Sequence, residues 1–383
     1  MDLALTDEQQ LIVDSAVAFL AESSSLAKVR AVSEAGDGFD HSQWKQVIAM
    51  GWCGVHLPEE TGGLGLGMVE LALLQEQLGR HLACIPFFDS VALAASVLRA
   101  LPESEQTVHL LGSVASGEQV LAVALTSPDL EHRLTARASA HGSGWVLNGS
   151  WPGVGSAPHA DALLLPAQTA SGECLLFLVP ADAPGLRLQP LPPLDATRSH
   201  ADVIATELQL PVAAWLSRGN ALSEAWQRAA YLAAIALAAE QVGVAQACLD
   251  LTLAYTAQRF QFGKAIASFQ AVKHRCAQML VTLEQARSAV YSAAAMADTE
   301  ASDDVLLRHA AQARMESTQA ALYCSREAIQ LHGGMGFTWE FHPHLFLRRA
   351  QLASQRLGPV SWWCEQVAAQ LLDGDLEQVG AMP

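Results

Sequence analysis

Along the first hundred residues, short apolar clusters recur at intervals of three and four, the period of a helix with one buried face. In "LTDEQQLIVDSAVAFLAES" Leu11, Ile12, Ala16 and Phe19 fall at that spacing, and Thr6 with Glu8 and Gln9 supplies an imperfect cap signal ahead of them. "SQWKQVIAMGW" and "MVELALLQEQLGRHL" repeat the pattern. Between them "LPEETGGLGLG" carries a proline, acids and four glycines and predicts a turn-rich loop; it matches neither GxGxxG nor a P-loop and reads as a connector. Near residue 119 the texture changes. "VLAVALTS", "RLTARASA", "GWVLNGSW", "DALLLPA", "CLLFLVP" and "ADVIATELQL" are short segments bounded by Gly, Pro, Ser and Asp, the spacing of a small antiparallel β domain, with "HGSG" at 141–144 as a hairpin turn. Long helices return over 221–256, 265–299 and 303–332, rich in Ala, Leu, Gln and Glu with few breakers. The predicted fold class is α+β, mainly α: a helical domain over 1–118, a barrel-like or sandwich β domain over 119–217, and a helical domain over 218–383.

Composition narrows the function classes. With 51% hydrophobic and 16% charged residues over 383 positions, the chain has material for a large core and more than one packed region. A net charge of −17 excludes wrapping nucleic acid or lying on an anionic membrane. Seven scattered cysteines, without a CxxC pair, suggest reduced thiols. "MDLALTDEQQ" lacks a basic-then-apolar signal pattern, and the longest apolar run, 229–239, has eleven residues against the roughly 20 that span a bilayer. The expected location is the cytoplasm. Among thirteen histidines, His332, His342 and His344 cluster, but no Cys or carboxylate spacing completes a metal site.

Two stretches carry chemistry. In "QRFQFG", Arg259 and Phe262 lie three apart near a helix end and are expected to share a face. A guanidinium there forks onto a pyrophosphate while the ring packs a cofactor's apolar side. An isolated RxxF reads as a surface Arg beside a core Phe, but "QLHGG" adds Gln330 for polar edges and Gly333 and Gly334 for close backbone approach. The surrounding words, "YTAQRFQFGKAIASFQAVKHRCAQM" (255–279) and "AIQLHGGMGFTWEFHPHLFLRRA" (328–350), resemble the acyl-CoA dehydrogenase family. "PEETGGLGLG", "VALTSPD" and "LDATRSHADVIATELQLP" extend the likeness over nearly the whole chain. The resemblance implies a C-terminal four-helix-bundle domain, FAD as cofactor, and α,β-dehydrogenation of an acyl-CoA thioester. It also implies an electron-transfer flavoprotein or similar acceptor, and a homo- or hetero-oligomer with a related subunit. On the same basis Arg259, Phe262, Gln330, Gly333 and Gly334 reach into a neighbouring subunit's FAD site, Gln270 lies near its adenosine end, and Thr126 belongs to the β-domain half.

That β-domain half departs from the family pattern. The usual acid is Ser127, the small-residue turn has become Leu130, Glu131 and His132, and Arg133 is the one nearby offset to an acid beside a diphosphate. Gly153 and Gly155 stand where an aromatic and a hydroxyl usually meet the flavin ring. Both usual positions of the catalytic base are also lost, one to Leu357 and the other to Ala233. Glu240, in "AIALAAEQVG", lies seven residues beyond Ala233, about two helical turns along nearly the same face. It is a displaced catalytic base, its pKa raised by apolar surroundings, or a buried acid paired with an arginine such as Arg228 or Arg259, or an interface residue. Relatives from sterol-degrading bacteria form mixed tetramers and carry a similar "AAEQ" word. The competing reading is a catalytically silent scaffold subunit of such a complex.

Overall fold

The computed structural model describes residues 4–131 and 134–373; His132 and Arg133 lie outside the described residues. Helices Asp7–Ser23, His41–Ala49 and Met68–Arg80 follow the predicted amphipathic segments. The cap of the first is complete: Thr6 Oγ1 accepts from the Gln9 amide at 3.2 Å, and Gln9 Oε1 accepts from the Thr6 amide at 3.0 Å. A further helical stretch, which the spacing does not announce, opens as a wide π turn over Phe88–Ala94 and continues as Ala95–Ala100. It is apolar on nearly every side because it is buried on nearly every side.

The middle of the chain forms β1 (Leu121–Val123), β2 (Arg137–His141), β3 (Gly144–Gly155), β4 (Ala162–Gln168), β5 (Cys174–Pro180), β6 (Leu186–Pro190), β7 (His200–Pro211) and β8 (Trp215–Arg218). Their spatial order is β6-β7-β3-β2-β4-β5-β8, with β1 beside β4. The expected antiparallel domain is therefore a mixed sheet, because β1 and β2 both meet β4 in parallel. The "HGSG" turn closes the β2–β3 hairpin, with His141 opposite Gly144. The sheet buries its own apolar cluster around Leu147, Leu163, Phe177 and Val203.

A 40-residue helix, Gly219–Gln258, runs through the centre of the molecule. Its one window apolar enough for a membrane span is 89% buried within the protein, so its hydrophobicity is spent on packing. Helices Gln270–Ala297 and Asp303–His332 lie against it, and two shorter ones, Pro343–Gln355 and Val360–Asp373, complete the C-terminal bundle. Met68–Arg80 crosses the central helix backbone to backbone. A methyl group added at Gly243 would stand 1.9 Å from the Glu76 carbonyl oxygen, and one at Gly79 would stand 2.1 Å from that of Glu240. One apolar cluster consequently joins the N- and C-terminal helices, and Glu240 sits at their closest approach.

Candidate functional site

A cavity of about 320 Å³ opens where the sheet meets the end of helix Pro343–Gln355. Val123, Leu125, Thr126, the 153–155 segment of β3, the 191–195 loop and the Leu352–Leu357 segment line it. Leu357, at the expected base position, is a wall residue in the left-handed region at φ 56°, and Trp363 Nε1 donates to its carbonyl at 3.1 Å. Ala233 is buried and is not part of the wall. The two β3 glycines serve different ends. Gly153, at φ 64°, has nothing within 4 Å of where a side chain would begin, whereas a methyl group at Gly155 would collide with Asp89 and Arg356.

Asp89 and Arg356 form an ion pair at the cavity edge. Ser156 Oγ donates to the same carboxylate at 2.6 Å. Burial alone would raise the Asp89 carboxyl, but Arg356, Arg198, His200 and Ser156 together hold it below its ordinary range. Beyond it lies a second group of charges that sequence spacing does not bring together. Glu240 pairs with Arg198 through one oxygen and with Arg349 through the other, at 3.4 Å. Arg349 also donates to Asp195 at 2.5 Å and to Thr197 Oγ1 at 2.5 Å, while Arg198 reaches the Ile85 carbonyl at 3.1 Å. Burial would raise Asp195 too; Arg349 and Thr197 more than offset it and leave its carboxyl low. All four charged residues are at most 6% exposed.

Glu240 is therefore not a wall residue of the cavity, and both of its oxygens are taken by guanidinium groups. Nor are its partners those expected: Arg228 pairs with Asp303, and Arg259 is exposed. The rival acid Glu340 is exposed as well. Arg314, buried and without a carboxylate partner among the described residues, donates to Gln241 at 2.6 Å and to the Ala353 and Arg356 carbonyls at 3.1 Å, fixing the turn that precedes Leu357. Among the described residues no three His, Cys, Asp or Glu side chains cluster as metal ligands.

The RxxF segment differs from its helical expectation. The central helix ends at Gln258, Arg259 turns into extended backbone, and Phe262 sits at the tip of a short hairpin at φ 51°, 91% exposed. Arg259, Gln270, Gln330, Gly333 and Gly334 are exposed too, and neither glycine has an atom within 4 Å of its would-be side chain. These residues offer a cation, two amides, a ring and open backbone to something outside the chain, which suits FAD.

The β-domain half does not suit it in the same way. Ser127 Oγ is engaged by the Asp129 amide at 3.2 Å and Asp129 Oδ1 by the Glu131 amide at 3.0 Å, so the turn satisfies itself and presents acids. The space beside Thr126, Asp129 and Trp226 holds only about 30 Å³, and Trp226 Nε1 donates to the Ser127 carbonyl at 3.1 Å. A diphosphate finds no cradle there among the described residues.

A helical region, a mixed sheet and a helical bundle meeting around a junctional cavity match the acyl-CoA dehydrogenase fold. The chain belongs to the acyl-CoA dehydrogenase family: the N-terminal domain of that family matches residues 6–118 and its C-terminal domain residues 224–372. The family's cofactor is FAD and its members oxidise acyl-CoA thioesters. The acyl-CoA dehydrogenase IpdE2 of Mycolicibacterium smegmatis is 31% identical over 93% of this chain and 96% of its own. The ChsE4–ChsE5 complex from Mycobacterium tuberculosis superposes with a TM-score of 0.86 at 27% identity, covering 100% of both chains. A variant of the steroid ACAD Tcur3481–Tcur3483 gives a TM-score of 0.83 at 28% identity, covering 96% of this chain and 98% of that one.

Proposed function

We propose that this chain is one subunit of a mixed acyl-CoA dehydrogenase complex, in which it completes the FAD site of a related partner subunit. Arg259, Phe262, Gln270, Gln330, Gly333 and Gly334 supply the reach across the interface, and the partner supplies the phosphate cradle and the catalytic base. Glu240 is then an internal anchor for Arg198 and Arg349, and Thr126 keeps its place at the cavity without a phosphate to hold. The observation that carries this reading is the contrast between an exposed, open cofactor platform and a cavity whose base position is Leu357. Similarity to the ChsE4–ChsE5 complex and to a steroid ACAD supports a mixed assembly and a steroid-type acyl-CoA as substrate. An electron-transfer flavoprotein or a carrier of that kind takes the reducing equivalents. The seven cysteines, all free, suit the cytoplasm.

The test is to purify the chain alone and co-expressed with a related subunit, measuring bound flavin and acyl-CoA-dependent flavin reduction. Flavin is expected only in the mixed complex. One FAD per chain in a homo-oligomer, reduced by acyl-CoA, would refute the reading.

A further inference from the structure

The first turn of helix His41–Ala49 carries acceptors that its own cap does not use up. Asp40 is the N-cap, and the Ser42 and Gln43 amides both donate to its Oδ1, at 2.9 and 3.0 Å. Asp40 Oδ2 is left without a partner among the described residues. The Asp40 amide donates to the Cys84 carbonyl at 2.7 Å, so the cap is held in place. Three positions on, Gln43 is 2% exposed, and its Nε2 donates to Ser23 Oγ at 3.2 Å. Its Oε1 has no partner among the described residues and, unlike the ring nitrogens of His56, is not closed off from solvent. Side chains at a cap and three residues beyond it are neighbours, so a carboxylate oxygen and an amide oxygen stand side by side without a donor.

Both residues line a cleft of about 290 Å³ between this helix and helix Leu26–Ala35, close to the roughly 300 Å³ at which small-molecule sites begin. Lys28 lines it from the facing helix, beside Ala31 and Val32, and has no carboxylate partner among the described residues. We infer that this cleft binds a small zwitterion of the α-amino acid class, its ammonium on Asp40 and Gln43 and its carboxylate on Lys28. Two unmatched acceptors call for a ligand rich in N–H donors, and an ammonium group has three. An anion alone is repelled by Asp40, and a cation alone by Lys28. A ligand with both charges meets each with its opposite through charge-assisted hydrogen bonds, while Ala31 and Val32 give a short aliphatic side chain an apolar wall. The cleft shares no lining residue with the cavity beside Leu357.

Saturation-transfer NMR on the full chain, titrated with L-alanine, ethylamine and propionate, tests this. L-Alanine is expected to bind about tenfold more tightly than either of the others, since each lacks one charge-assisted contact. Asp40→Asn keeps the helix cap, because Asn caps as well as Asp, yet should weaken L-alanine about tenfold. Lys28→Met, at an exposed position, should bring L-alanine down to the level of ethylamine. Gln43→Met should weaken L-alanine and ethylamine alike and leave propionate unchanged. Circular dichroism melts confirm that each variant folds. Equal binding of the three probes, no binding of L-alanine, or L-alanine binding that survives both Asp40→Asn and Lys28→Met overturns the inference. Flavin plays no part in this readout, so its outcome is separate from that of the co-expression test.

Discussion

Glu240 and Arg349 meet at 3.4 Å in a place neither can leave, the acid 2% and the guanidinium 1% exposed. With Arg198 and Asp195 they make two cations and two anions, gathered from the central helix, the loop between β6 and β7, and helix Pro343–Gln355. The group is neutral as a whole and costly to break in part.

Substituting Glu240 by Gln leaves two buried guanidinium groups with one carboxylate. Urea unfolding should show a loss of about 3–5 kcal/mol, the usual consequence of removing one partner of a buried ion pair. Flavin reduction in the assembled mixed complex should persist in the variant that remains folded. Unchanged stability together with abolished reduction would instead make Glu240 the base.

Arg259→Ala and Phe262→Ala remove exposed side chains, the Phe262 ring meeting Phe269 edge-on with centroids 6.3 Å apart. Their unfolding free energies should stay within about 0.5 kcal/mol of the parent. Flavin retained by the mixed complex, read as absorbance at 450 nm against protein, should fall at least about tenfold for Arg259→Ala, since a charge-assisted bidentate contact is lost.

Gly243→Ala adds one methyl group where the Glu76 carbonyl lies 1.9 Å away. The two helices must part, at a cost of about 1–3 kcal/mol or more in thermal or urea unfolding. Gly334→Ala, with open space around it, should leave the isolated chain unchanged in the same assay.

His56 is 1% exposed with neither ring nitrogen bonded, and burial, then Arg99, lowers its pKa to about 3. Unfolded, it titrates near 6.5, at about its free value. Between those values the unfolded chain takes up a proton that the folded chain refuses, so stability is full above about pH 6.5 and declines as pH falls toward 3. His56→Leu should remove this part of the slope and gain about 2 kcal/mol over the parent on going from pH 7.5 to pH 5, measured by urea unfolding at both. Parallel pH profiles for the two proteins would show that His56 is not responsible.

The three-part order of the fold and its long helices are legible because they are local. Helix Asp303–His332 coincides with its expected span, and the "HGSG" hairpin closes where Gly142 allows it. The β1–β4 pairing is not legible, since parallel contacts join residues some forty positions apart and leave no turn signature. The same distance hides the partners of Glu240. Arg198 and Arg349 stand 42 and 109 residues away, so local spacing suggests Arg228 or Arg259 and misses both. Arg259 and Phe262 are found by their wording, yet their geometry differs from a helical face because the helix stops one residue earlier.

Phe262 holds its ring in water on a backbone angle that side-chain-bearing residues seldom take. A copy of this chain without a partner subunit would display this exposed ring at a hairpin tip, an invitation to self-association. If the chain works in the proposed mixed complex, the two subunits must be made in matched amounts.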